Sequence, residues 1–579
     1  MKRHARFAVL VAALMATCVQ AKAGHSAQPT SRPPNVIILL TDDQGSGDVG
    51  CHGNPYLRTP TIDRFAQEGV ELSQFYVSPL CAPTRASLLT GRYHNRTKVD
   101  SVWNGLSLLD HREVTLAQLL RTAGYRTGIF GKWHLGDNYP MRPTDKGFDR
   151  AVWFRGGALF DEPDRAEHMA SLYTDPWLWS QNQQKKFKGY CMDIFTDEAL
   201  TFIEANAAQP FFLYLAANLP HTPLEVGREY SQPYRAMGLT ESCANAYGMI
   251  ANVDANFARV LEKIKALGLE KDTLIIFMSD NGASPHAMAP GGYNAGLRDW
   301  KGTVYEGGIR VPFFMQWPTM IPGGRKLPPA AAHIDVAPTV LDACGVRIPA
   351  NIKMDGISLL PLLCGKAAGL PERSLFFPNA HVPAKDGIFA VRSGRYKVIR
   401  PATGQDVPLE LYDIINDFGE TSDVAKSHPE VVRRLKGEFE KWFDEVYAGG
   451  VQQAYRYPLI FLGDEAENPS ILWWHDKRGV PNPVWFSEKD IGGYWEVEVK
   501  RAGLYKIALQ TFDPMAKPGG ARLTIGSTSL AVVMKKGERE CAFEPVQLAA
   551  GCGQLKVWVE VMDGGELCPE HVIITRMGD

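Results

Sequence analysis

Residues 35–40 read Asn-Val-Ile-Ile-Leu-Leu, an apolar run without a polar face, as expected of a strand buried on both sides. Runs of the same kind at 125–130, 211–217 and 274–278 predict three more such strands. Between them the spacing turns helical. Ala246, Ile250, Val253, Phe257, Val260, Ile264 and Leu267 recur every three or four positions, which predicts an amphipathic helix. Shorter helices are expected at 114–123 and 196–205, and another after Thr59-Pro60, with Thr59 as cap and Gly69 as stop. Residues 150–190 are rich in Trp, Gly and Asp without clear periodicity, and read as extended loop. Strands alternating with helices predict an α/β fold, a large mostly parallel or mixed sheet flanked by helices on both faces.

The pattern loosens beyond this main domain, bounded at 34–340. Residues 341–450 read as a small α+β subdomain, with strands at 387–393 and 396–399 and a charged helix at 428–446. From 451 to 579 short alternating segments, such as 494–499, 504–509 and 555–561, are broken by Gly and Pro and predict an all-β sandwich. At the other end Lys2, Arg3, His4 and Arg6 precede an apolar run over 7–19, and Ala21-Lys22-Ala23 has the form of a cleavage site. Residues 1–23 therefore read as a signal peptide, and the protein as exported, periplasmic or secreted. Thr17 before Cys18 fits a lipoprotein signal poorly, and no segment is apolar for long enough to give a membrane span.

Composition narrows the function classes. A chain of 579 residues calls for more than one domain, and a net charge of −2 gives no argument for nucleic acid or an anionic membrane as partner. Ten cysteines occur, and loss of Cys18 with the signal leaves an odd number. At least one then lacks an intrachain partner, with Cys81 the candidate, while the others pair or stay free.

The chemistry gathers where apolar strands stop. The four runs are followed by Asp42-Asp43, by Lys132 and His134, by His221, and by Asp280-Asn281. In open α/β sheets ligands bind beyond the carboxyl ends of the strands, so these groups converge on one edge. Asp42, Asp43, Asp280 and Asn281 form an all-oxygen set suited to a hard cation, Ca²⁺ or Mg²⁺. Lys132 and His134, two apart, face the same way on an extended segment. Lys301 opens a Gly-rich loop, 301–308, able to bring its ammonium to a ligand. Cys81 stands at the start of a short helix with Pro83 in its first turn and Gly91 at its end. Backbone N–H groups there favour an anion, and Arg85 adds a rigid cationic fork.

Cys81-x-Pro83-x-Arg85 followed by Leu89-Thr90-Gly91-Arg92 resembles the first signature of the formylglycine-dependent sulfatases of the alkaline phosphatase superfamily. Gly124-Tyr125-x-Thr127-x-x-x-Gly131-Lys132-x-His134 resembles their second. The resemblance spans roughly 34–445, departing at Thr84, where many members carry Ser. It implies that a formylglycine-generating or other sulfatase-maturing enzyme oxidises Cys81 to 3-oxoalanine (formylglycine). The hydrate of that aldehyde, bound with Cys81 among the metal ligands, would then attack sulfate. It further implies Lys132 and Lys301 as sulfate ligands, His221, with Lys301, as acid for the leaving oxygen, His134 as base, and Arg85 as the group orienting the diol.

A phosphate or phosphonate ester hydrolase of the same superfamily, and an inactive binder of sulfated glycans, are the rival readings. Residues 451–579 resemble, more loosely, galactose-binding-like sandwiches, with Trp473, Trp474 and Trp485 as candidates for stacking on sugars. Trp103, Asn104, Trp177, His286 and Arg298 are the expected substrate contacts. Sulfated carbohydrate is the favoured substrate, over an aryl sulfate.

Overall fold

The computed structural model describes residues 32–159, 172–379, 383–451, 458–479, 493–562, 565–567 and 569–579. The expected signal peptide, Cys18 and Trp485 lie outside these residues. Ten strands form the main sheet, in the order Arg325–Leu327, Val70–Leu72, Phe313–Gln316, Thr273–Ser279, Asn35–Thr41, Phe211–Ala216, Arg126–Lys132, Arg150–Phe154, Trp177–Ser180 and Gln183–Lys186. The central strands from Thr273–Ser279 to Arg150–Phe154 run parallel. Their neighbours on both sides run antiparallel, so the sheet is mixed.

Asn35–Thr41 is buried along its whole length, which explains its unbroken apolar character. Val36, Ile38 and Leu40 point to one face, under the helices Cys81–Thr90, Leu116–Thr122 and Val336–Ala343. Ile37 and Leu39 point to the other, under Pro60–Glu68, Cys191–Ala205 and Glu241–Ala266. Each such side chain, fully withdrawn from water, contributes about 1.5–3 kcal/mol. The long helix starts earlier than its apolar repeat, because the Thr240 hydroxyl accepts from Cys243 N at 3.3 Å and caps it.

One expectation is corrected. Within 150–190 the chain adds three strands to the sheet instead of forming only loop. Residues 183–186, Gln-Gln-Lys-Lys, carry no apolar signal, since they form the solvated edge strand.

The subdomain is a four-stranded antiparallel sheet, Ser374–Pro378, Phe389–Ser393, Tyr396–Arg400 and Glu410–Asp413, covered by the helix Pro429–Val446. Leu435, Phe439 and Phe443 of that helix pack on Phe389, Val391 and Val398. The C-terminal part is a pair of sheets of six and five strands. Their inner faces supply Trp495, Val497, Leu523 and Val557 on one side, and Tyr505, Ile507, Val572 and Ile574 on the other. Leu108 and Met141 of the main domain belong to the same cluster, so the sandwich is sealed onto that domain. Trp473 is 1% exposed and therefore core, not a sugar platform; Trp474 is half-buried against Phe512. Among the described residues the eight cysteines are all unpaired, and no helix is long and apolar enough to cross a membrane.

Candidate active site and metal centre

The parallel register brings the predicted strand ends together. Leu40 pairs with Met278 and with Ala216, which places Asp42-Asp43 between Asp280-Asn281 on one side and the segment before His221 on the other. Asp42 N donates to Leu219 O and Asp280 N to Thr41 O, each at 3.0 Å, so the strand ends stay laced past the sheet. Asp43 then turns out of the strand with φ of 68°, in the left-handed region tolerated by Asp.

Cys81 is the first residue of the helix Cys81–Thr90, and every residue of that helix is buried. Its Sγ lies 3.3 Å from His134 Nδ1 and forms a cluster with carboxylate oxygens of Asp42 and Asp280, all within 4.8 Å of one another. One turn on, Arg85 is fully buried. Its Nε and Nη2 donate to Asp280 Oδ2 at 3.0 and 2.7 Å, and Nη1 donates to Lys132 O at 2.9 Å. Lys132 Nζ donates to Asp42 Oδ2 at 2.7 Å, and Lys301 Nζ stands 2.7 Å from Asp43 Oδ1. The Lys301 loop is tied down by Lys301 N donating to Ala283 O and Gly302 N to Pro79 O, both at 2.9 Å.

Lys132 and His134 do not share a direction as an extended segment would require. The strand ends at Lys132, and His134 adopts φ of 59°, which turns its ring toward Cys81 while Lys132 faces Asp42. His134 Nε2 lies 2.9 Å from Val102 O and can only donate to it. Nδ1 is thereby left with its lone pair toward residue 81. Burial, followed by the Lys132 ammonium, holds His134 well below the usual imidazole range, so the neutral ring is the stable form. His221 is half-buried beside Asp42 and Asp43, with Nδ1 2.8 Å from Thr222 O. Burial and then Lys301 lower its proton affinity, against the pull of both aspartates.

These residues fit a hard cation. Asp42, Asp43, Asp280 and Asn281 are at most 1% exposed, yet Asp42 Oδ1 and Asn281 Oδ1 have no hydrogen-bond partner. Orphaned buried oxygens are costly unless something else meets them. Burial, then the neighbouring Asp42 carboxylate, pushes Asp280 up to about 7 despite Arg85, a repulsion that a divalent cation would relieve. Asn281 Nδ2 donates to Asp43 Oδ1 at 2.8 Å, which turns its own Oδ1 toward a ligand's place.

The expected substrate contacts divide. Trp103 and Asn104 are half-buried in the loop that follows Val102, beside His134. Trp177 begins a strand whose antiparallel register sets it beyond Trp153 and Phe154, at the same carboxyl edge of the sheet. His286 is corrected: at 4% exposure, with Nε2 3.4 Å from Asp48 Oδ2, it is sealed under the 42–48 loop and out of reach of a sugar. The guanidinium of Arg298 stacks on Tyr305 at 3.8 Å and donates to the Tyr412 hydroxyl at 2.8 Å, joining the Lys301 loop to the subdomain. It is a brace by these contacts. Sequence reasoning also passed over a buried group, Asp137, His475 and Asp476, which joins the main domain to the sandwich. A His-Asp pair after a Trp run is too common a pattern to single out, and its partner lies far away in the chain.

Fold and site together define a hydrolase of tetrahedral oxyanion esters: an acidic centre, paired ammonium groups, and a nucleophile position at a helix start. The sulfatase family model matches residues 34–346, and the model for the C-terminal region of N-sulphoglucosamine sulphohydrolase matches 295–445. Arylsulfatase A of Homo sapiens is 33% identical over 466 residues, covering 70% of this chain and 87% of its own. N-acetylgalactosamine-6-sulfatase of Canis lupus familiaris is 32% identical over 403 residues, covering 66% and 74%. The crystal structure of Ps i-CgsB in complex with k-i-k-neocarrahexaose superposes with a TM-score of 0.64 at 30% identity, covering 71% of this chain and 93% of that one. The chain belongs to the sulfatase family, and it is a sulfuric ester hydrolase.

Proposed function

We propose that the protein removes sulfate from sulfated carbohydrate, using residue 81 in its formylglycine form and a Ca²⁺ or Mg²⁺ ion held by Asp42, Asp43, Asp280 and Asn281. The single observation that carries this reading is Cys81 itself, buried at a helix start, 3.3 Å from an imidazole lone pair and surrounded by hard oxygen ligands. Sulfur suits such a centre poorly. Burial also raises the Cys81 thiol, ahead of the opposing pull of Lys132 and Lys301, so a thiolate is disfavoured. The carbohydrate part of the reading is supported by relatives named N-acetylgalactosamine-6-sulfatase and by a similar structure in complex with k-i-k-neocarrahexaose.

A cation at this centre would supply Lewis-acid polarisation of the sulfate oxygens. Formylglycine at position 81 would supply a hydrated aldehyde, that is, an oxygen nucleophile in place of sulfur with a second hydroxyl whose proton a base must take. The remaining work falls to side chains already in place. Lys132 and Lys301, both held charged by their aspartate partners, bind the non-bridging oxygens. His221, with its Nδ1 donating to Thr222 O, acts as the acid for the leaving sugar oxygen in its doubly protonated form, which Asp42 and Asp43 favour against burial and Lys301, and gives up the proton on Nε2 with Lys301 assisting. His134 accepts the second hydroxyl proton at Nδ1. Arg85, locked to Asp280 and Lys132 O, fixes the helix turn that presents residue 81.

The test is mass spectrometry of the peptide holding Cys81, in protein from its native host, together with the Cys81→Ala variant. A lighter, carbonyl-reactive peptide is expected, and the variant is expected to fold and lose sulfatase turnover. An unmodified thiol, or an active Cys81→Ala protein, would overturn the mechanism. Defined sulfated mono- and disaccharides assayed beside 4-nitrophenyl sulfate and phosphate esters decide the substrate class.

A further inference from the structure

Two loops set the His134 ring. Residues 101–106 supply Val102 O to Nε2, and Gly157 of residues 155–158 packs against the same ring at Cε1 and Nε2. A Cβ on Gly157 would stand 2.7 Å from His134 Cε1, so the glycine backbone packs directly on the imidazole. Both loops are gripped by one short segment of the sandwich. His475 O accepts from Gly105 N at 3.0 Å, and Arg478 Nη2 donates to Gly105 O at 3.1 Å. Gly105 has φ of +60°, and a Cβ there would meet Asp476 O at 2.6 Å, so only glycine fits the clasp. On the other loop, Gly156 N donates to Asp137 Oδ2 at 3.0 Å, and the same oxygen lies 2.9 Å from His475 Nε2. Asp137, His475 and Arg478 are all at most 6% exposed, so these contacts are shielded from water.

We propose that residues 475–478 of the sandwich form the back wall of the active site, and that His475 is a positioning residue for His134, its side chain acting through Asp137 and its backbone carbonyl through Gly105. This rests on the sulfatase reading above, in which His134 takes a proton from residue 81. The wall lies beyond residue 445, where the matches of the family models end. It is therefore a feature of this chain's own C-terminal part. Among the described residues the imidazole meets no side chain at Nε2, where a carbonyl of one loop and the packing of another hold it. Loosening either loop lets Nδ1 drift from residue 81, and a misplacement of about 1 Å costs as much as about 100-fold in rate.

The experiment uses the full-length protein with His475→Ala, Gly105→Ala and the conservative His475→Gln, which keeps an N–H donor for Asp137. On the sulfate ester that the wild-type protein hydrolyses, His475→Ala and Gly105→Ala are expected to lower kcat by about 10- to 100-fold. KM should stay within about twofold, and His475→Gln should recover most of the loss. Hydrogen–deuterium exchange followed by mass spectrometry should show faster exchange in residues 155–158 of His475→Ala and in residues 101–106 of Gly105→Ala. That readout needs no turnover, so it stands even if the sulfatase reading fails. Unchanged exchange in both loops would overturn the proposal. So would a His475→Ala enzyme with wild-type kcat, or one whose defect lies in KM for carbohydrate alone, which would make His475 a substrate contact.

Discussion

Arg85 and Asp280 are both withdrawn from water, with a guanidinium fork closed on a single carboxylate oxygen. A buried pair of this kind adds little net stability while intact but leaves a stranded charge when broken. Arg85→Met should therefore destabilise the fold by about 3–5 kcal/mol in urea denaturation. Arg85→Lys, which keeps the charge and loses the fork, should lose less; equal losses would mean the charge is not what matters. The unpartnered oxygens of Asp42 and Asn281 lead to a second expectation. Chelation should lower the melting temperature, and Ca²⁺ or Mg²⁺ should restore it. Asp42→Asn should blunt both responses, and a chelator-insensitive wild-type melt would argue against a resident cation.

The loop bearing Lys301 depends on an ionic knot one step removed from the site. Glu306, at the end of that loop, accepts from Lys397 Nζ at 3.0 Å, and Lys397 also lies 2.9 Å from Glu420. Glu420 Oε2 accepts in turn from Glu306 N at 2.7 Å. Burial, opposed by Lys397 and reinforced by Glu306, pushes Glu420 up to about 7, well above its unfolded value near 4.5. A carboxyl raised in this way contributes stability that is complete below about pH 4.5 and lost as pH rises through about 7. Glu420→Gln should thus flatten the fall in stability between pH 5 and pH 8, gaining on the order of 1–3 kcal/mol on wild type at the upper end. Melting curves at the two pH values check it, and parallel curves would refute it. At this scale the sequence was readable where one element made its own signal. Continuous apolar runs announced the central strands, and the three-to-four spacing announced Glu241–Ala266. The edge hairpin Trp177–Ser180 and Gln183–Lys186 stayed hidden, since its strands exist only through pairing with each other and with Arg150–Phe154. Asp42, Asp43, Asp280 and Asn281 were readable because they follow such runs directly. His286 misled because a polar side chain in a loop looks alike in sequence whether it faces a ligand or packs under a neighbouring turn.

At the scale of the molecule, the sandwich is continuous with the main domain. Asn138 Nδ2 donates to Glu467 Oε2 at 3.0 Å and to Ile471 O at 2.9 Å, Phe461 N donates to Tyr139 O at 3.2 Å, and Leu108 and Met141 fill the sandwich's own core. An interface with a shared apolar core is expected to melt as one unit. Calorimetry should show a single transition for the two parts, and a separate sandwich transition would contradict the packing. None of this was visible in the sequence, where alternation marks a strand's inner face without telling what lies against its end.

Asp137 and His475 are 338 positions apart, and the strand carrying Ser470–Trp473 is paired by Pro569–Gly578, further still along the chain. The candidate cation ligands, Asp42 to Asn281, are therefore synthesised long before the segment proposed as the wall behind His134 and the strand that pairs with it. A gene truncated or frameshifted ahead of the codons for 569–578 would still encode both sulfatase signatures, and on the proposal above its product should be impaired. When genomes are surveyed for working copies of this protein, the strand at 569–578 should then be checked beside Cys81.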